Sequence, residues 1–131
     1  MKTCRYDEIA IGHTDAFQAT IGLDEMVLFE KLTGDRNPLH TQKKVCYGLL
    51  TSSFLSTLAG MYVPGERALI HGVDVEFPRP LVVSEDRTIT VKGVVVEKSD
   101  AFKLLTIKVT ITDDSGEKIL RGKMKVGVRD E

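Results

Sequence analysis

Histidine, cysteine and long stretches of one charge are scarce in this chain, and each scarcity excludes something. Among 131 residues there are 3 histidines and 2 cysteines. Cys4 and Cys46 are too few for a disulfide framework and lack CxxC spacing, so both are expected as free thiols in a reducing compartment. Ligand types for zinc exist in Cys46, His40 and His71, but no two of them have structural-zinc spacing, and no metal is expected. Lys plus Arg number 18 against 19 Asp plus Glu, for a net charge of -1. No basic run is interleaved with aromatics, which argues against a phosphate-backbone track and against nucleic acid as a partner. The opening "MKTCRYDEIAIG" has no long apolar core behind its lysine, so it does not read as a secretory signal and a cytoplasmic protein is expected. No Gly-rich loop has phosphate-binding context, and repeats and low-complexity tracts are missing.

What the chain does contain is patterned. At 42% hydrophobic and 28% charged over 131 residues, it can build one core but not two, so a single domain over 1–131 is expected. In "DAFQATIG", Phe17, Ala19 and Ile21 alternate with Gln18 and Thr20, the period of a half-buried strand. A helix should follow, with Asp24 as its N-cap, Met26, Leu28, Phe29 and Leu32 at helical spacings, and Gly34 as its stop. The segment 47–63, "YGLLTSSFLSTLAGMYV", carries no charge. It is shorter than the roughly 20 residues of a membrane span, and its recurring Ser and Thr suggest a helix buried on most sides within the protein, ended by Pro64 and Gly65. Beyond it the period becomes two: Val73, Val75 and Phe77 against Asp74 and Glu76, then "RTITVKGVVVEK", "FKLLTIKVTIT" and "EKILRGKMKVGVR", with turns at "KSDA" and "DDSG". Four successive strands predict an antiparallel meander, with Lys103, Lys108, Thr110, Lys123, Lys125 and Arg129 on a solvated face. The apolar face needs cover, and the uncharged helix is the element available, so the sheet should curl around it in an α+β architecture.

The chemistry concentrates in "TGDRNPLH", residues 33–40. Pro38 lacks an amide proton and pushes Asn37 out of the helical region, so the backbone between Asp35 and His40 must turn sharply. That turn can bring a carboxylate and an imidazole to one side, where they can hold a water between them. A turn aspartate and a helix-capping histidine are the structural alternatives.

The string "FEKLTGDRNPLH", followed by "YGLLTSSFLSTLAG" and "VDVEFPRPLVVSEDRTITVKGVVVEK", resembles the MaoC-like, (R)-specific enoyl-CoA hydratases of the hot-dog fold, over about residues 17–128. The resemblance implies a curved antiparallel sheet wrapped around a long central helix, as the periodicity does independently. It implies that Asp35 and His40 are the catalytic pair for hydrating trans-2-enoyl thioesters or dehydrating (R)-3-hydroxyacyl thioesters. Such syn addition needs a base for the water proton and an acid for Cα on one face of the substrate. Gly48 corresponds to the glycine whose N–H meets the thioester oxygen, with Tyr47 beside it in the oxyanion and substrate-binding region. Ser56 matches a serine close to the pair, and Asn37 is expected to order the turn through its side chain. No cofactor is implied: CoA or phosphopantetheine arrives as part of the substrate, carried as acyl-CoA or on acyl carrier protein. A homodimer is implied as well, in keeping with a sheet edge that must be paired or protected. Lys43, Lys44, Arg67 and Arg79 are candidate contacts for CoA phosphates or an acidic carrier, while His71 reads as structural or pocket-lining.

The chain departs from the family in two places. Tyr47 stands where an imidazole is usual, and the segment 40–48, "HTQKKVCYG", is shorter than its counterpart, which leaves the pocket more open or shaped by a partner subunit. The alternatives to a hydratase are a hot-dog acyl thioesterase, whose base would direct water at the carbonyl carbon, and an acyl-binding or structural subunit without turnover.

Overall fold

The computed structural model describes residues 1–131. After a single 3-10 turn at Tyr6–Glu8, strand β1 (Thr14–Ile21) turns Phe17, Ala19 and Ile21 inward on alternate positions. Helix α1 (Leu23–Thr33) follows at once. It begins two residues earlier than an Asp24 cap would allow. The Gly22 N–H donates to the Glu25 carboxylate at 2.7 Å, which closes the first turn on Gly22 and leaves Asp24 within it, where an acidic side chain suits the helix dipole. Gly34 ends the helix in the left-handed region at φ 78, a conformation glycine adopts without a Cβ penalty.

The uncharged segment forms a continuous right-handed run in three stretches: α3 (Gly48–Ser52), α4 (Phe54–Thr57) and a π-type turn at Leu58–Tyr62. The wider turn shows as a hydrogen bond from the Val63 N–H to the Leu58 carbonyl, five residues back, at 2.9 Å. Burial is one-sided, where burial on most sides was expected. Thr51, Leu55, Leu58 and Ala59 are buried, whereas Leu49 is 71% exposed and Met61 43%. The physical reason is the single layer of sheet: a helix laid on one sheet buries the side that faces it.

The sheet has five antiparallel strands in the order β1-β3-β4-β5-β2, with β2 (Ala68–Glu76), β3 (Arg87–Ser99), β4 (Leu104–Thr112) and β5 (Lys118–Val128). The last three strands form the expected meander, with turns at the predicted places. β2 does not join it ahead of β3. It pairs with β5 at one edge, from Ala68 opposite Val128 to Glu76 opposite Arg121, and β3 pairs instead with β1. Between β2 and β3 the connection 77–86 carries Pro78 and Pro80, which lack the amide protons a tight hairpin would use. It therefore runs back past two strands. No helix is long and apolar enough to cross a membrane.

Helix and sheet pack tightly at Gly93. A Cβ there would lie 2.9 Å from Leu58 Cδ2 and 3.0 Å from Ile107 Cγ2, both in the buried core. Replacing Gly93 with alanine should overpack this contact and destabilise the fold by about 1–3 kcal/mol, read as a lowered denaturation midpoint at unchanged m-value.

Candidate active site

The site is built on the turn that leaves α1. Asp35 Oδ1 accepts from the Asn37 N–H at 3.0 Å, and Asn37 Oδ1 accepts from the Leu39 N–H at 3.0 Å. Two consecutive side-chain caps thus close the turn. Pro38 occupies the first position of the one-turn helix α2 (Pro38–Thr41), where its missing amide costs nothing. Asn37 therefore orders the turn, through its side chain as expected.

The turn sets Asp35 Oδ2 at 3.9 Å from His40 Nε2. That gap is too long for a direct hydrogen bond and suits one water about 2.8 Å from each atom. The other ring nitrogen, Nδ1, lies 2.7 Å from the Val45 carbonyl oxygen. A carbonyl only accepts, so Nδ1 carries the proton, and in the neutral ring Nε2 presents its lone pair toward Asp35. The His40 side chain is 15% exposed and that of Asp35 45%, so the imidazole is enclosed while the carboxylate faces solvent.

His40 forms part of the wall of a cleft of about 310 Å³ that also holds Cys46, Gly48, Thr51 and Phe77. Gly48 opens α3, where a helix leaves its first amides without intrahelical acceptors. The Phe77 ring covers it: a Cβ on Gly48 would meet ring atoms at 3.1 to 3.3 Å. The polypeptide that floors the cleft comes from the β2–β3 connection. Val45 forms an isolated bridge with Val82, the Cys46 N–H donates to the Leu81 carbonyl at 2.7 Å, and the Val83 N–H donates to the Lys44 carbonyl at 2.7 Å.

Tyr47 belongs to the site in a different way from that expected. It lines a second cleft, of about 220 Å³ beneath α1, with His40 between the two. Its hydroxyl donates to the Asp35 backbone carbonyl at 2.9 Å, and its ring stacks on His40 with centroids 4.0 Å apart. Ser56 is exposed on α4 and absent from both clefts. His71 is also exposed, at a bulge in β2, with its ring over Gly127, so it lines neither cleft and lies outside the core. Among the basic candidates, Arg79 borders the Gly48 cleft but pairs with Glu117 at 3.0 Å. Lys43 is exposed, Lys44 Nζ donates to the Thr41 carbonyl at 2.9 Å, and Arg67, at the far end of β2 from Phe77, donates to the Thr3 carbonyl at 3.0 Å.

A larger hollow of about 720 Å³ on the outer sheet face is lined by Asp74, Glu76, Glu97, Lys108, Arg121 and Lys123 among others. Its acids and bases balance, and it is a solvated face without a nucleophile or an imidazole. Sequence reasoning did not foresee the roles of the Val45 carbonyl or Phe77. The aromatic just before Pro78 was a readable signal for the latter; a backbone acceptor leaves none.

No family model matches the chain. The chain is 27% identical to an (R)-specific enoyl-CoA hydratase of Rhodospirillum rubrum, over 94% of this chain and 90% of that protein. Its fold matches the R-hydratase PhaJ1 of Pseudomonas aeruginosa with a TM-score of 0.88 at 20% identity, over 97% of this chain and 86% of the other. It also matches the (R)-hydratase of Aeromonas caviae with a TM-score of 0.85 at 22% identity, over 92% and 97%. The chain has the hot-dog fold. Within this fold Cys46 is a buried wall residue: its thiol lies 3.5 Å from Thr51 Oγ1, and burial pushes its pKa up against that contact. At neutral pH iodoacetamide should therefore modify Cys4 well before Cys46, and Cys46 labelling should accelerate only on the alkaline side, as read by peptide mass spectrometry.

Proposed function

We propose that the protein is a lyase that adds water across the double bond of trans-2-enoyl thioesters to give (R)-3-hydroxyacyl thioesters, and runs the reverse dehydration, with Asp35 and His40 as its catalytic pair. The observation that carries this reading is the 3.9 Å opening between Asp35 Oδ2 and a His40 Nε2 whose lone pair is exposed by the Val45 anchor. A water there donates one hydrogen to each acceptor. As its oxygen bonds to Cβ, Nε2 takes one proton, and the imidazolium returns a proton to Cα on the same face, which makes the addition syn. Asp35 holds the remaining hydrogen and steadies the cationic ring. The negative charge that develops on the thioester oxygen meets the Gly48 N–H at the start of α3. The thioester itself acidifies Cα, so proton transfer is the only chemistry the residues must supply.

The acyl group reaches the site on CoA or on acyl carrier protein. The working form is a homodimer. β2 is an edge strand with one free side, and Leu69 and Val73 on it, together with Leu49 and Met61 on the helical run, are exposed apolar side chains. A second copy would bury them and pair the edge. Ser56, exposed in the single chain, lies on that uncovered helical side.

Asp35→Asn keeps the size and turn geometry of the residue but removes the negative charge facing the water. Crotonyl-CoA hydration, followed as loss of enoyl absorbance, should fall by about 10²- to 10⁴-fold with an unchanged circular dichroism spectrum. Undiminished turnover would sink the assignment, and release of free thiol by the wild type would indicate thioester hydrolysis instead. Val73→Asp puts a charge on the apolar edge strand. Sedimentation should show the wild type at twice 14.5 kDa and the variant at 14.5 kDa. A monomeric wild type would overturn the dimer.

A further inference from the structure

Tyr47 is 3% exposed, and it touches both members of the pair. Its hydroxyl donates to the Asp35 carbonyl at 2.9 Å. Its ring lies 4.0 Å from the His40 ring at 26°, nearly parallel, and 4.7 Å from the Phe29 ring at 43°. An imidazole fixed only by its Nδ1–H could still pivot about that hydrogen bond, and each pivot would move Nε2 relative to Asp35. The stacked phenol removes that freedom. The carboxylate has the complementary weakness: its side chain is tied to Asn37, while its backbone follows the Gly34 end of α1. The Tyr47 hydroxyl pins that backbone to the residue that caps the start of α3.

We infer that Tyr47 is a positioning residue for this reaction: hydroxyl and ring together hold the Asp35 and His40 side chains one water apart. The inference rests on the hydration reading of that pair. Burial raises the pKa of the phenol, with the charges of Glu30 and Asp35 acting in the same direction, so the hydroxyl remains a donor throughout the neutral range. With that hydroxyl committed to the carbonyl, and the ring outside the Gly48 cleft, Tyr47 holds the machinery without touching the thioester.

Two variants separate the hydroxyl from the ring. Tyr47→Phe keeps the stack and loses one neutral hydrogen bond; kcat for crotonyl-CoA should fall roughly 3- to 10-fold, with KM within about twofold of wild type. Tyr47→Leu loses both contacts and should lose kcat by about 100-fold or more, again without a matching rise in KM. The second readout does not need turnover. In protein labelled with ¹⁵N-histidine, the His40 Nδ1–H resonance held by Val45 should be sharp in the wild type and in Tyr47→Phe, and broadened by exchange in Tyr47→Leu. Wild-type kcat in a folded Tyr47→Phe would overturn the role of the hydroxyl. An unbroadened resonance in Tyr47→Leu would overturn the role of the ring, and an effect confined to KM would make Tyr47 a substrate contact. If the wild type hydrates no enoyl thioester, the hydration reading fails while the resonance still decides whether Tyr47 fixes the ring.

Discussion

The hydrogen bond from His40 Nδ1–H to the Val45 carbonyl organises the site, because it settles two things at once. It selects the tautomer whose Nε2 lone pair faces Asp35, and it sets the height of the ring above the turn. Its own position depends on long-range structure. Val45 is held by the bridge to Val82, with Lys44 and Cys46 bonded on either side to Val83 and Leu81. The connection between β2 and β3, which at first sight only carries the chain from one part of the sheet to another, is thus what the imidazole leans on. Moving β2 to the far edge lengthens that connection, and the length is used to build the floor of the cleft.

The same economy governs the central helical run. Its inner face, through Leu55, Leu58 and Ala59, is buried in the core, and its first residue, Gly48, lies against the Phe77 ring. Tight packing of Leu58 over Gly93 therefore does more than stabilise the fold: it fixes the axis on which the Gly48 amide sits. A shift of the helix would be felt at the cleft, since interiors of this density transmit displacement and do not absorb it. The outer face, with Leu49 and Met61 exposed, has no such anchor within one chain.

How much of this could be read from residue order follows from the range of the forces involved. The 33–40 turn was legible because Asn37 and Pro38 act over two or three residues, and the structure shows the Asp35 and His40 side chains on one side of it. The strands of the meander were legible from period-two patterning and from turn residues in "KSDA" and "DDSG". The place of β2 was not, because alternation says that Val73 and Val75 belong to a strand and says nothing of its neighbour. Asp24 lost the cap to Gly22 because Glu25 reaches back to the glycine amide, a competition between adjacent candidates that composition does not resolve. The one-sided burial of 47–63 was hidden for a related reason: absence of charge marks a surface that avoids water without saying whether its cover comes from this chain. Tyr47 could be read as a departure, but its partners, an upstream carbonyl and a neighbouring ring, emerge only once the turn has closed.

The short 40–48 segment raises a question of cost. Halving a loop saves only about 0.6 kcal/mol of closure entropy, whereas Lys44 sits at φ 60, a left-handed conformation that costs a residue with a Cβ about 1–2 kcal/mol. Shortening by itself is therefore not a gain. The strained residue is bracketed by three hydrogen bonds: its carbonyl accepts from Val83 and its ammonium reaches Thr41, while the Cys46 amide two residues on donates to Leu81. At about 0.5–1.5 kcal/mol each, these offset the strain. What the left-handed residue achieves is a change of direction, from the end of α2 into the bridge with Val82, within the four residues that separate His40 from Val45. A longer loop would relieve Lys44 and would also let the Val45 carbonyl drift from Nδ1. The strain is the counterpart of a fixed imidazole.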